Sequence, residues 1–408
     1  TPANNPYPTR FNVPTDRPAV PVGPLPDEPR RDLTHLLALA IDDAGSDDPD
    51  DALSLDGDRL WVHVADAAAL APPGSPADIE ARNRAANLYL PEGTVRMLPE
   101  EMTERLALGR QPVSPALSLA LAIRPDDAVE LLEITLSWIR VTRTTYEAAE
   151  AQLGDSPYRE LMALAERRRA RRIANGAVEI DLPEAKVKVC EDGEVVVKPL
   201  PSLRSRELVR EAMLMAGEAV GQLGVAAGLP LAYTVQDPPQ ELEARPEGLA
   251  GMFAQRRAMQ RSRQSTAPGR HAGLGLDVYV QVTSPLRRYL DLLAHQQLRA
   301  HLRGEPPLDT AEVTLRLGTA DAVVGAVRAA ERQSIQHWTL VYLLQHPEWR
   351  GEGIVVEHKP GREVVLIPEL AWEAELYRRQ PHALNSAVRL AVEAVDLPNR
   401  TASFRADS

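Results

Sequence analysis

Ile41-Asp-Asp-Ala-Gly-Ser-Asp-Asp-Pro-Asp-Asp-Ala-Leu53 follows directly on an apolar run over residues 36–41. It places Asp42, Asp43, Asp47, Asp48, Asp50 and Asp51 within 10 consecutive positions. Carboxylates held a few ångströms apart cannot all stay ionised without compensation, so their pKa values rise or a divalent cation neutralises them. Hard oxygen ligands select Mg²⁺ or Mn²⁺. Pairs of such ions about 3.5–4 Å apart hydrolyse phosphodiesters by holding both the attacking and the leaving oxygen. The stretch therefore points to a nuclease site. The ordinary alternative for an acidic run is a solvated loop. A calcium loop fails, because counting from Asp47 puts Pro49 third and Ala52 sixth, where an EF-hand needs an acid and a glycine. In a regular strand Asp48 and Asp50 share one face and Asp51 points to the other. Convergence on one site requires irregular backbone, which Pro49 and Gly45 allow.

Outward from this stretch, short β-rich runs at 60–64 and 117–123 alternate with helical stretches up to about residue 140, which predicts a mixed sheet. Thr144 with Glu147 reads as a capping box. Ser156-Pro157 reads as a cap with a first-turn proline ahead of a helix over 158–175, stopped by Gly176. Further helices are predicted over 205–227, 244–263, 285–302 and 310–344. After Pro347 short alternating strands at 353–356, 363–367, 387–395 and 401–405 read as a small barrel, for which an OB-fold is the natural candidate. The fold class is α+β. Three segments are expected: a Pro-rich extended arm or linker over 1–34, a mixed α/β catalytic domain over 35–347, and an OB-fold over 348–408. No internal repeat is visible.

The chain of 408 residues has 44% hydrophobic content, enough for globular cores. Its single cysteine, Cys190, excludes an internal disulfide. With no signal peptide and no apolar run of membrane-spanning length, a cytoplasmic protein without a membrane partner is expected. The net charge of −12 argues against a surface uniformly adapted to polyanions, so basic residues must be concentrated if a polyanion binds. Lysine occurs only at Lys186, Lys188, Lys198 and Lys359, which leaves arginine as the main phosphate donor.

The spacing of Asp42, Asp48, Asp50 and Asp51, followed by Trp61-Val-His-Val-Ala-Asp66, Asn83-Arg-Ala-Ala-Asn-Leu-Tyr-Leu-Pro91 and Met97-Leu-Pro99, resembles the catalytic domain of the ribonuclease II/ribonuclease R (RNB) exoribonucleases. Gly176-Ala-Val-Glu-Ile-Asp-Leu-Pro183 and Gly273-Leu-Gly-Leu-Asp-Val-Tyr-Val-Gln-Val-Thr-Ser-Pro-Leu-Arg-Arg-Tyr-Leu-Asp291 fit the same pattern. The resemblance runs in order from about residue 36 to about 345. It implies an RNB-type catalytic domain followed by an S1-type RNA-binding barrel. It also implies a monomeric 3′-to-5′ exoribonuclease that hydrolyses single-stranded RNA by a two-metal-ion mechanism, with Mg²⁺ or Mn²⁺, and releases nucleoside 5′-monophosphates. Members of the family carry two cold-shock OB-folds ahead of the catalytic domain, for which residues 1–34 leave no room.

By the same resemblance, Asp42 and Asp51 match the principal metal ligands, Asp50 the rate-critical carboxylate, and Asp48 a supporting one. Asp43 and Asp47 match no ligand and read as solvated. Arg287 matches the arginine aimed at the reacting phosphate, and Arg288 is its neighbour. For either arginine the structural alternative is an ion pair with Asp291. Tyr89 and Tyr146 match the tyrosines that hold the RNA 3′ end, and Glu331 a glutamate near the last base. Leu231 stands where an aromatic usually sandwiches that base. His63 and His271 read as satisfied core residues, and the run Arg167, Arg168, Arg169, Arg171, Arg172 as a solvated face in preference to a track for an RNA backbone. Trp349, Trp372 and Tyr377 either stack on bases or pack the barrel. Two other functions compete: an exonuclease acting on DNA or short oligonucleotides, and a non-catalytic RNA-binding scaffold.

Overall fold

The computed structural model describes residues 4–241, 246–377 and 380–406. Seven strands form one mixed sheet: β1 (Arg31–Asp32), β2 (Ala38–Asp42), β3 (Asp51–Asp56), β4 (Arg59–Ala65), β5 (Ser114–Ile123), β6 (Val129–Ile139) and β7 (Val141–Thr145). Their order is β1-β6-β5-β4-β3-β2-β7. The β1/β6 and β2/β7 pairs are parallel and the rest antiparallel. The runs at 60–64 and 117–123 form the middle of β4 and β5, whose side chains are buried on both faces.

Five helices cover those faces, α1 (Pro76–Arg84), α2 (Tyr158–Ala174), α3 (Arg204–Ala227), α5 (Tyr289–Arg303) and α6 (Thr310–Gln345), while α4 (Gly248–Ala258) packs its Phe253 on Val356, Val364 and Leu366 further along the chain. On one face Leu53, Val62, Val64, Leu117 and Leu119 pack with Leu161 and Met162 of α2 and with Ala212, Met215 and Ala219 of α3. On the other, Ala52, Trp61, Ala65 and Ala116 pack with residues of α1, α5 and α6. No helix of the described residues is long and apolar enough to cross a membrane. Gly217 lies in the middle of α3, a position that disfavours glycine. A Cβ there would stand 2.3 Å from Tyr279 Cε2 and 2.6 Å from the Val280 carbonyl oxygen. The missing side chain lets the strand-like segment 278–280 lie directly on α3, and that segment leads into the loop carrying Arg287.

Several predicted boundaries shift. The cap after β7 is Thr145, whose Oγ1 accepts from the Ala148 N–H at 3.1 Å, while Thr144 belongs to the strand. Ser156 does not cap α2; Pro157 takes the N-cap position without a side-chain hydrogen bond, and Gly176 follows the helix at φ +88°. The helix expected over 244–263 is α4, shorter at both ends; its first expected residue, 244, lies outside the described residues, and Arg263–Ser265 forms a strand with Tyr233–Val235. The helix expected from 285 starts at Tyr289, because 284–288 make a turn.

The proline-rich arm is laid against the catalytic domain, extended except for one helical turn at Tyr7–Arg10. Tyr7 is buried edge-on to His337, Val13 packs with Leu88, Val327 and Ala330, and Asn5 Nδ2 donates to Ser334 Oγ at 3.0 Å. Further along, Glu28 and Arg30 join Asp66 and Arg299 in a buried ionic network. After α6 come β8 (Arg350–Lys359), β9 (Arg362–Ile367), β10 (Trp372–Tyr377), β11 (Ala387–Asp396) and β12 (Thr401–Ala406). They pair antiparallel in the order β10-β9-β8-β11-β12, with β10 returning towards β12 to make a nearly closed barrel. Trp349 is buried edge-to-face on Phe404 at 5.6 Å, and Trp372 packs on the same cluster. Both are barrel packing residues. Tyr377 is 78% exposed, free to stack on a base.

Candidate active site

The acidic stretch joins β2 to β3 at one end of these strands. Asp42 ends β2, residues 43–50 form a loop with Gly45 at φ +80°, and Asp51 opens β3. Two backbone bonds pin the loop: Leu108 N–H to the Pro49 oxygen at 2.9 Å and Ala65 N–H to the Asp50 oxygen at 2.7 Å. The irregular backbone turns Asp42, Asp48, Asp50 and Asp51 towards one cavity of about 1100 Å³. Tyr89, Tyr146, Arg96, Arg206 and Arg287 line it too. So do Arg17 of the arm and Lys186 of the hairpin Ala185–Val189 and Val195–Pro199.

Asp50 and Arg287 meet across a sequence distance of 237 residues. Asp50 Oδ2 accepts from Arg287 Nε at 3.1 Å, and Oδ1 accepts from the Leu286 N–H at 2.8 Å. Arg287 Nη2 also donates to Ser284 Oγ at 2.9 Å. Burial pushes the Asp50 carboxyl up to about 8, against Arg287 and the Leu286 N–H, with Asp51 and Asp48 adding to the rise. Burial likewise pushes Asp51 up to about 7, opposed by Arg287 and reinforced by Asp42. Arg287 loses charge stability to burial, but Asp50, Tyr89 and Asp51 outweigh that and hold it above its ordinary value.

The other carboxylates already have partners. Asp42 Oδ2 accepts from Ser46 Oγ at 2.5 Å and Oδ1 from the Asp43 N–H at 2.8 Å. Asp48 pairs with Arg96, 48 residues away. Asp43, read as solvated, pairs with Arg206, whose guanidinium also lies 4.2 Å over the Tyr146 ring. Asp47 is exposed, 3.8 Å from Arg110. Among the described residues no three His, Cys, Asp or Glu side chains stand close enough together to hold one metal ion. The donor chemistry nevertheless fits a hard divalent cation: Asp42, Asp48, Asp50 and Asp51 are among the carboxylates that line one cavity, and burial, reinforced by neighbouring carboxylates, drives Asp50 and Asp51 towards protonation.

The twin arginines diverge. Arg288 Nη2 donates to the buried Asp291 at 2.7 Å, and Asp291 also accepts from the Ser284 N–H at 2.9 Å. Arg288 is thus the helix-start ion pair and Arg287 the cavity residue. Tyr89 is 43% exposed on the cavity wall, and its N–H donates to Glu331 Oε1 at 2.8 Å. Glu331 therefore braces the backbone of Tyr89. Tyr146 opens the short helix Tyr146–Glu150 that Thr145 caps. Thr145→Ala is expected to lower stability by about 1 kcal/mol, as loss of an N-cap does, measured by urea unfolding.

Other expected positions fall into the structure. Leu231 is fully buried, against the Gly224 face of α3, and lines no part of the cavity. His63 is a core residue, linking Ser54 at 3.0 Å and Ser118 at 2.7 Å, with burial pushing its pKa down to about 3. His271 Nδ1 accepts from the Leu274 N–H. The arginine run is not a solvated face. Arg168 and Arg172 are buried on Glu218 and Glu211, Arg169 pairs with Glu179 and Glu207, and Arg167 and Arg171 pair with Asp127 and Asp126. Sequence reading missed Arg17, Arg96, Lys186 and Arg206 in the cavity. Only Arg96 carried a signal, standing immediately before Met97-Leu-Pro99.

Comparison with known proteins places the chain in a family. The RNB domain profile matches residues 30–246 and 248–304, and that of the RNase II-type exonuclease C-terminal S1 domain matches 349–407. An uncharacterised ribonuclease of Synechocystis is 36% identical over 398 residues, covering 92% of this chain and 60% of that protein. The chain spans about half to three fifths of the length of the curated relatives it matches. Among solved structures, Mycoplasma genitalium RNase R in complex with ribose methylated single-stranded RNA aligns with a TM-score of 0.78 at 18% identity, over 93% of this chain and 72% of that one. Yeast Ssd1, a pseudonuclease, aligns at 0.71 and 18% identity over 89% and 52%. Both likenesses concern the fold, while the profile match spans the sheet, the acidic loop and the arginine turn, and with it the chain belongs to the ribonuclease II/ribonuclease R (RNB) family.

Proposed function

We propose that the chain is a 3′-to-5′ exoribonuclease that hydrolyses single-stranded RNA and releases nucleoside 5′-monophosphates. The observation that carries this reading is the meeting of Asp50 with Arg287 in a cavity whose wall also presents Asp42, Asp48, Asp51, Tyr89 and Tyr146. Asp42, Asp51, Asp50 and Asp48 would hold divalent cations, Mg²⁺ or Mn²⁺, two in the reacting complex. Bound there, the cations supply the charge neutralisation and nucleophile activation that phosphodiester hydrolysis requires.

The chain's own residues do the rest. Arg287 sets a fixed cation beside the scissile phosphate, where negative charge grows on the equatorial oxygens. Its Ser284 and Asp50 contacts fix the direction of the guanidinium. Tyr89 and Tyr146 offer rings to the terminal bases; such stacking is worth about 1–3 kcal/mol per base and is indifferent to sequence. Glu331 holds the Tyr89 backbone in place. Contacts to the 2′-hydroxyl would distinguish RNA from DNA.

The test is a gel time course on 5′-labelled single-stranded RNA and on an all-deoxy oligomer, each with Mg²⁺ and with EDTA. A ladder shrinking from the 3′ end with Mg²⁺, abolished by EDTA, and bound but uncleaved DNA are expected. Cleavage of DNA at a comparable rate would sink the RNA assignment. Binding without cleavage would move the protein to the scaffold reading; a pseudonuclease is among its structural neighbours.

A further inference from the structure

Three of the chain's four lysines sit on one β-hairpin. In its register Lys186 stands directly opposite Lys198, and Lys188 follows two positions along the same face. All three are exposed, and among the described residues none has a carboxylate in ion-pair reach. The hairpin's acids, Glu184, Glu191, Asp192 and Glu194, stand at its two ends. Like charges directly opposite on a hairpin destabilise it, so folding gives no reason for this arrangement. Three of the cavity's arginines differ, since Arg96, Arg206 and Arg287 are each tied to an aspartate.

The other face of the hairpin fixes its place. Val187, Val189 and Val195 pack on Trp338 and Val341 of α6. Gln345 accepts from the Val195 N–H and donates to the Gly193 oxygen, both at 2.9 Å. At one end Lys186 lines the cavity beside the aspartates, and Val197 packs against the barrel's core. The lysine face therefore spans the ground between the cavity and the barrel, in a protein of net charge −12.

We propose that this lysine face is a track for the phosphate backbone of the RNA strand upstream of the 3′ end held in the cavity. The proposal rests on the RNA-degrading reading above and goes beyond it by assigning the path of the incoming strand. Concentrated positive charge in an otherwise acidic protein selects a polyanion, and sequence-independent backbone contacts suit an enzyme that advances along its substrate.

The test uses the full chain in the Asp50→Asn background, so that substrate persists, with Lys186→Gln, Lys188→Gln and Lys198→Gln combined. Affinity for a long single-stranded RNA is measured against salt concentration. Loss of three phosphate contacts is expected to flatten the slope of log affinity against log salt by about 2, at ~0.7 per single-strand contact, and to weaken binding roughly tenfold or more at low salt. The three corresponding Lys→Arg substitutions should restore the slope. Lys359→Gln, a barrel residue paired with Glu375, should leave it unchanged. An unchanged slope in the triple Gln variant, with the parent binding RNA, overturns the track but leaves the exoribonuclease reading standing. So does a Lys→Arg triple that fails to restore it, or an equal loss with Lys359→Gln. A chain that binds no RNA both with Asp50 intact, in EDTA, and in the Asp50→Asn background overturns both.

Discussion

Asp50→Asn is expected to lower RNA cleavage by on the order of 10³-fold or more while RNA affinity stays within a few-fold. The substitution removes one negative charge and almost no volume. The asparagine carbonyl can still accept from the Leu286 N–H, now 2.8 Å from Asp50 Oδ1, so the loop keeps its anchor to the arginine turn. What goes is the charge at the position buried deepest among the four aspartates, 4% exposed. Burial and the neighbouring aspartates already penalise that charge, so the fold does not depend on it, and the thermal midpoint should hold or rise. The binding surface is elsewhere, on Tyr89, Tyr146 and the exposed cations, which is why affinity is expected to survive. Cleavage at the parental rate would refute the site assignment. Loss of binding in step with cleavage, in a folded variant, would make Asp50 a substrate anchor instead.

The legibility of this site in the sequence follows physical lines. Acidic residues packed into one strand-to-strand loop have few structural reasons to sit together, so the stretch from Asp42 to Asp51 announces itself. The need for irregular backbone was also readable, from the opposite facing of Asp50 and Asp51 and from Gly45 and Pro49. Partners are a different matter. Asp48 finds Arg96 across 48 residues and Asp43 finds Arg206 across 163, and no local pattern reports such pairings. The arginine run on α2 misled for the same reason: spread around a helix it reads as solvated, but its carboxylates come from Asp126, Asp127, Glu179, Glu207, Glu211 and Glu218, on other elements. In the barrel four of the five strands were legible by alternation. Trp372–Tyr377 escaped because Glu373, Ala374 and Glu375 carry little β propensity, although the inward alternation of Ala374 and Leu376 is regular. Thr144 and Thr145 are equivalent as cap candidates in sequence; β7 pairs with β2 through both, and Thr145, its last residue, adjoins the helix and caps it.

Arg287→Gln and Arg288→Gln are expected to fail in different ways, although the residues are adjacent and chemically identical. Arg287 is 40% exposed, faces the cavity and has Asp50 as its only charged hydrogen-bond partner among the described residues. Its replacement leaves Asp50 the Leu286 N–H and costs the fold little. It removes the fixed cation beside the reacting phosphate, and loss of such a preorganised donor lowers kcat by about 10²–10³-fold. Arg288 instead pairs with Asp291, which is fully buried and whose remaining bond, on the same oxygen, is to the Ser284 N–H. Removing that guanidinium strands a buried carboxylate and is expected to lower stability by about 2 kcal/mol in urea unfolding, with a smaller effect on kcat. The Asp291 bond to Ser284 also shapes the turn that aims Arg287, so the loss that remains at 288 should be sensitive to temperature, recovering as the variant is cooled and the turn reforms. The Arg287 loss should be insensitive to cooling, since the group itself is gone. If the Arg288 variant lost catalysis at full stability while the Arg287 variant kept it, the cavity assignment of the two would be reversed. Equal losses in both would mean that the phosphate is clamped by the pair, contrary to the tie that holds Arg288 on Asp291.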